Sequence, residues 1–215
     1  MSKQTLGLLA AIAASLALLI TLPFTLAYFL AYDDPTAWMW ELIHNSGPLL
    51  KFDSRSVVYA TYGKLYSTLL PLTAPAFFYL DRNFGPGRDS RSALWGYRLL
   101  VGGMFLGALG IIGDYWPAQD SWWIGAGFMA EMIGILLIWI GSLLYGRTLQ
   151  KTDGLGKRIG LGWMLVPAGG ILGLTVLGHI PSGPLLGYAG FWLVIGMRLL
   201  TPGALLENSG PISRP

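Results

Sequence analysis

The chain of 215 residues is 53% hydrophobic and only 12% charged, whereas about 25% of the residues of an ordinary soluble domain are charged. It contains no cysteine, which excludes disulfides, thiolate nucleophiles and cysteine-ligated zinc or iron–sulfur clusters. The net charge of +3 and the pI near 9.2 do not indicate nucleic-acid binding, because the basic residues lie between apolar runs and not on one solvated face.

Six apolar stretches follow one another along the chain, and we compared each with the roughly 20 residues that cross a bilayer as a helix. Together they predict an all-α, polytopic integral membrane bundle that forms a single domain over 1–200, with a loose cytoplasmic tail over 201–215. The predicted spans are 6–32, 56–80, 93–113, 122–146, 158–179 and 184–200.

The distribution of lysine and arginine predicts the orientation, since cytoplasmic loops retain these residues. If the N-terminus lies inside, 11 of the 14 basic residues fall in the inner segments. Only Lys51, Arg55 and Lys64 remain on the outer side. We therefore expect both termini to be cytoplasmic, with the chain in the cell membrane (the plasma membrane, or the inner membrane of a bacterium).

The first outer connection is the only long one, and it contains a helix signal. Asp34 suits an N-cap and Pro35 suits the first helical turn, which predicts a short helix over 36–46. Trp38 and Trp40 would place this helix at the membrane interface.

Two ionisable residues fall inside predicted spans and define a candidate intramembrane site. Glu131 should lie about 13 Å, and Lys64 about 12 Å, below the outer ends of their helices at 1.5 Å per residue. A charge at such depth needs a partner, so the two residues could form a proton- or cation-linked site. The alternative is structural: a permanent ion pair, or a protonated Glu131 bonded to a tyrosine. Polar residues of the second span complete the candidate set: Tyr62, Tyr66 and Thr68.

A second candidate site lies on the outer side, where His44 and His179 map near Asp114 if the third and fifth spans are neighbours. Their side chains are suitable metal ligands, but no short-range ligand spacing supports a metal centre. We predict no metal and no other cofactor, and we interpret the residues as interfacial hydrogen-bonding groups or, alternatively, as an enzyme site.

Three spans contain Gly-x-x-x-Gly pairs, which let helix backbones approach closely. The pattern predicts tight packing within one subunit. The same faces could also bind a second copy of the chain or other membrane subunits. The glycines are Gly103 and Gly107, Gly169 and Gly173, and Gly183 and Gly187.

No zinc-protease motif, phosphate-binding loop or nucleophile elbow occurs in the sequence. The leading hypothesis is therefore a non-catalytic accessory or scaffold subunit of a membrane assembly, with the lipid bilayer as its first partner. A small proton- or ion-coupled transporter using Lys64 and Glu131 is the first alternative. An outer-surface membrane enzyme using His179 and Asp114 is the second.

Overall fold

The computed structural model of the protein describes residues 1–32, 59–87, 90–117, 122–152 and 154–201. Within these ranges the regular secondary structure is entirely helical, which confirms the all-α fold class. A π-helical turn over Tyr59–Gly63 precedes the second α-helix. The α-helices are α1 (Lys3–Tyr32), α2 (Lys64–Tyr66), α3 (Leu69–Phe84), α4 (Arg91–Tyr115), α5 (Trp122–Leu149), α6 (Leu155–Leu177) and α7 (Leu186–Leu200).

Four of the described helices are long and apolar enough to cross a membrane: α1, of which Lys3–Thr21 meets this measure, and α4, α5 and α6. Each coincides with a predicted span. The sixth predicted span corresponds to α7, an apolar helix of 15 residues. These lengths suit a membrane protein, and α7 is short for a crossing of about 20 residues.

The second predicted span is interrupted in the structure between α2 and α3. Pro71 has no N–H to donate to the carbonyl oxygen of Ser67, so one helical hydrogen bond is lost there. The hydroxyls of Ser67 and Thr68 donate instead to the carbonyl oxygens of Lys64 (2.6 Å) and Leu65 (2.7 Å), which offers the chain an alternative to regular helix. The polar residues around Lys64 therefore lie on a short segment of their own.

The helices of the described part of the chain close into a ring. Sequential neighbours pack against each other from α3 through α7, and α1 closes the ring by contacting both α3 and α7. Apolar side chains fill the interior, while many large apolar side chains on the outside of the ring are exposed. An exposed apolar surface of this kind suits lipid.

Aromatic residues form the centre of the core. The ring of Phe77 lies 5.7 Å from that of Tyr145 and 5.8 Å from that of Trp163. Nearby, the hydroxyl groups of Thr73 and Tyr188 form a buried hydrogen bond of 2.8 Å. These side chains come from α3, α5, α6 and α7, so the core joins helices that are distant in the chain.

The most extensive helix contact is between α4 and α5, and glycines lie in it. A Cβ atom added at Gly103 would lie 2.7 Å from the amide nitrogen of Ile138 and 2.8 Å from the carbonyl oxygen of Gly134. Side-chain carbons do not approach backbone atoms so closely, so only glycine allows this separation of the two helices. The adjacent Gly102 faces open space.

The other glycines of the predicted packing motifs also meet neighbouring elements of the same chain. A Cβ added at Gly169 would lie 2.7 Å from the Cα of Gly187, and one added at Gly183 would lie 2.9 Å from the carbonyl oxygen of Gly173. At Gly107 it would touch a leucine side chain of α3 at 2.9 Å. These glycines therefore lie against neighbouring elements of the same chain.

Three predicted features fall outside the described residues. They are the interfacial helix over 36–46, His44, and the tail from residue 202 onward.

Candidate functional site

Polar and ionisable side chains gather at the end of the bundle where α4 ends. They come from α2, from the last turn of α4, from α5, and from the segment that joins α6 to α7. We call this group the α4-end cluster and define it as Lys64, Tyr66, Ser67, Asp114, Tyr115, Trp116, Glu131 and His179.

Two contacts fix the α2 side of the cluster against α4. The indole N–H of Trp116 donates to the hydroxyl of Ser67 at 3.3 Å. The ammonium nitrogen of Lys64 lies 5.7 Å from the centre of the Trp116 ring, within the range of a cation–π interaction. Just before α2, Gly63 lies so close to Tyr115 that an added Cβ would be 2.9 Å from the Tyr115 Cβ. The break before α3 thus positions Lys64 beside the end of α4.

The segment between α6 and α7 closes the opposite side of the cluster. The hydroxyl of Tyr115 donates to the carbonyl oxygen of Ile180 at 3.4 Å. Its neighbour His179 is only 3% exposed, and its Nδ1 lies 3.0 Å from the hydroxyl oxygen of Ser182. His179 is therefore buried. The next residue, Ile180, contacts Tyr115, which follows Asp114 on α4. No group of three potential metal-ligating side chains occurs among the described residues.

Glu131 is the most unusual member of the cluster. Its side chain is 0% exposed, and neither carboxyl oxygen has a hydrogen-bond partner in the described part of the chain. The carboxyl group lies close enough to Asp114 and Tyr66 to interact with them electrostatically. The backbone of Glu131 is pressed against Gly110 of α4, where an added Cβ would overlap it. Glycine packing between α4 and α5 therefore holds a carboxyl group in the interior of the bundle.

The structure does not join Lys64 and Glu131, since no hydrogen bond or ion pair forms between these two described residues. The alternative predicted from sequence, a hydrogen bond between a tyrosine and protonated Glu131, is also not formed among the described residues. Of the other candidates in this set, Tyr62 packs against the apolar core, and Thr68 donates to its own helix at Leu65.

Sequence reasoning did not single out Ser67 and Ser182, although both bond to members of the cluster. Ser67 lies beside the polar stripe of the second span, which is a signal that could have identified it. Ser182 has no such signal, because its role depends on the turn that follows α6.

The fold and the cluster define the class: a helical protein with helices suited to a membrane, and with a buried carboxyl group near one end. No protein-family model, no curated protein and no solved structure matches the chain. The function is accordingly argued from the cluster itself.

Proposed function

We propose that the chain is a small multi-pass membrane carrier in which Glu131 binds and releases a proton or a small cation. One observation carries this proposal: the Glu131 carboxyl group is fully buried and lacks a hydrogen-bond partner among the described residues. An unpaired charge in the bilayer interior costs at least about 2.5 kcal/mol. A bound proton removes that charge and a bound cation compensates it, so the site favours one of these ligands.

The burial of Glu131 also favours a carrier over an accessory subunit, the leading hypothesis from sequence. In an accessory subunit, an intramembrane acid can be paired by a basic side chain of the partner. Glu131 has no exposed surface on which such a side chain could act. A ligand that reaches it must therefore be small.

Asp114 offers an intermediate position between Glu131 and the end of the bundle. It is half-buried and lies four residues beyond Gly110, the residue packed against Glu131, which is about 6 Å further along α4. We propose that a proton or cation passes Asp114 on its way to Glu131. Lys64, held beside Trp116, lies at the same end of the bundle as Asp114.

We further propose six spans, with both termini on the cytoplasmic side of the plasma membrane or of a bacterial inner membrane. The antiparallel contacts of α1 with α7, α4 with α5, and α5 with α6 support this topology, because they bring the basic ends of the helices together. Lys64 is at the opposite end, beside the end of α4. The residues gathered at the basic end include Lys3, Arg147, Arg158 and Arg198.

Transport assays in proteoliposomes that enclose a pH indicator test the function. Sodium, potassium and a panel of small metabolites are each added outside, and we expect the wild-type protein to move protons in response to at least one of them. Glu131→Gln should reduce this flux to that of protein-free vesicles, because the amide keeps the shape of the side chain but binds no proton.

Asp81→Asn is the matched control, since Asp81 accepts a hydrogen bond from Tyr145 at 2.8 Å and the amide oxygen can also accept it. This variant should transport like the wild type. Equal flux through wild-type and Glu131→Gln protein would refute the proposal, provided that both proteins unfold at the same temperature.

A further inference from the structure

A groove of about 330 Å³ runs between α6 and α7, and none of its lining residues belongs to the α4-end cluster. Its walls are mainly apolar and include Leu165, Phe191 and Val194. Leu165 and Val194 are more than half exposed, so the groove opens toward the surroundings of the bundle. An added Cβ at Gly190 would meet nothing within 4 Å, so this glycine leaves the groove unfilled.

Two arginines line one end of the groove, Arg158 on α6 and Arg198 on α7. The helices are antiparallel, with Gly169 lying against Gly187. Arg158 precedes Gly169 by eleven residues and Arg198 follows Gly187 by eleven residues, so the two arginines are level with each other. They lie about 16 Å from the glycine contact at 1.5 Å per residue.

The same end of the groove contains the start of α6, at Leu155. Among the described residues no side chain caps the start of this helix at Gly154, and the positive end of the helix dipole favours an anion there. No carboxylate of the described residues forms an ion pair with Arg158 or Arg198. Positive charge from three sources thus converges beside an apolar groove.

We infer that this groove binds an anionic phospholipid. One acyl chain lies along the apolar walls, and the phosphate group lies between Arg158 and Arg198 at the start of α6. Guanidinium groups bind phosphate oxygens in pairs of hydrogen bonds, and basic pockets between membrane helices suit anionic headgroups. The distance of about 16 Å from the arginines to the glycine contact is close to half of the 30 Å hydrocarbon core, which matches a lipid from one leaflet. A zwitterionic lipid fits less well, because its ammonium group would lie near the arginines.

Native mass spectrometry of the full chain in mild detergent tests this inference. The protein is titrated with phosphatidylglycerol or with phosphatidylcholine of the same acyl chains. We expect one tightly bound phosphatidylglycerol molecule and much weaker binding of phosphatidylcholine. Arg158→Gln with Arg198→Gln should lower the affinity for phosphatidylglycerol roughly 30-fold, the effect of losing two basic residues at an anionic headgroup.

Arg91→Gln with Arg147→Gln is the matched control, because both arginines are exposed at helix ends and neither lines the groove. This variant should keep the wild-type affinity. Gly190→Leu keeps both groove arginines and fills the apolar part of the groove, so it should also weaken phosphatidylglycerol binding.

Equal binding of the two lipids by the wild-type protein would overturn the inference. Unchanged phosphatidylglycerol affinity in the variant with Arg158→Gln and Arg198→Gln would do the same. A lipid-free dimer in which a second copy covers the groove would also overturn it. If the variant with Arg158→Gln and Arg198→Gln does not fold, the lipid affinity of Gly190→Leu provides the test. Wild-type affinity in Gly190→Leu would contradict the proposed site.

Discussion

The carboxyl group of Glu131 lies where neither solvent nor a partner side chain among the described residues compensates its charge. Most buried polar groups in proteins are hydrogen-bonded, and an exception at full burial calls for a ligand or a special role. The carboxyl group of Asp114 lies close enough to interact electrostatically with Glu131. A proton would remove the charge of Glu131 and a cation would compensate it, which is why we propose that Glu131 binds a ligand.

The hydroxyl of Tyr188 is also buried in the core but, unlike the Glu131 carboxyl group, it has hydrogen-bond partners. The hydroxyl of Tyr188 bonds to Thr73 at 2.8 Å and to the sulfur of Met104 at 3.2 Å. We expect Tyr188→Phe to destabilise the protein by roughly 0.6–1 kcal/mol, the usual worth of such bonds inside a membrane protein. Thermal unfolding in detergent measures the effect.

Tyr79→Phe is the matched control for this variant, because the hydroxyl of Tyr79 forms no hydrogen bond with a described residue. The two variants should therefore differ in stability. Equal stability would show that the buried bond between Tyr188 and Thr73 has no net effect.

Counting along the spans predicted that Glu131 and Lys64 would lie deep in the bilayer, and this depth stays a prediction. The structure adds that Glu131 is buried inside the bundle. The contact of Lys64 could not be predicted from sequence, because it depends on the break before α3, which places Lys64 beside Trp116. The bond between His179 and Ser182 likewise depends on a turn that no periodic pattern indicates.

Helix packing between α4 and α5 makes a clear prediction for two adjacent glycines. Gly103→Ala should destabilise the protein by about 1–3 kcal/mol, because the added methyl group would overlap the backbone of α5. Gly102→Ala should leave stability equal or slightly higher, since that position faces open space and alanine favours a helix over glycine. Unfolding in detergent compares the two variants.

The same pair of variants distinguishes packing within the chain from association between chains. If Gly103 formed a contact between two copies, Gly103→Ala would change the oligomeric state with little effect on the unfolding of each chain. Size-exclusion chromatography with light scattering would detect such a change. We expect the same oligomeric state for both variants.

Elements with a long apolar run were easily predicted, and interrupted elements were not. The spans of α4, α5 and α6 follow from about 20 apolar residues each, and the structure extends them by two or three residues at some ends. The second span reads as continuous because its apolar content is high. Its interruption comes from one missing N–H at Pro71 and from the side-chain bonds of Ser67 and Thr68.

The described helices form a ring whose basic ends lie on one side, and this arrangement supports the proposed topology. The chain contains no cysteine, so single cysteines can be introduced and labelled with a membrane-impermeant maleimide. Cysteines at Ser46 and Gln119 should react in intact cells, whereas those at Ser2, Asp153 and Ser213 should react only after lysis. Reaction at residue 213 but not at residue 2 in intact cells would show that the number of spans is odd.

At the scale of the molecule, hydropathy and charge suggested the class and the number of spans but not the ring. The pairing of the helices depends on how glycine faces and aromatic side chains fit together. Several helices carry glycine-rich faces, so the sequence does not show which two faces meet. The closure of the ring by α1 against α3 and α7 joins segments that are far apart in the chain.

The central claim, that Glu131 binds a proton in an apolar interior and can be reached, is tested most directly by chemical labelling. Hydrophobic carbodiimides react with protonated carboxyl groups in apolar surroundings, and peptide mass spectrometry identifies the modified residue. In native membranes we predict that Glu131 is modified, that modification declines as the pH is raised, and that it stops the proton flux. If other acidic residues react while Glu131 stays unmodified at every pH, the account is contradicted.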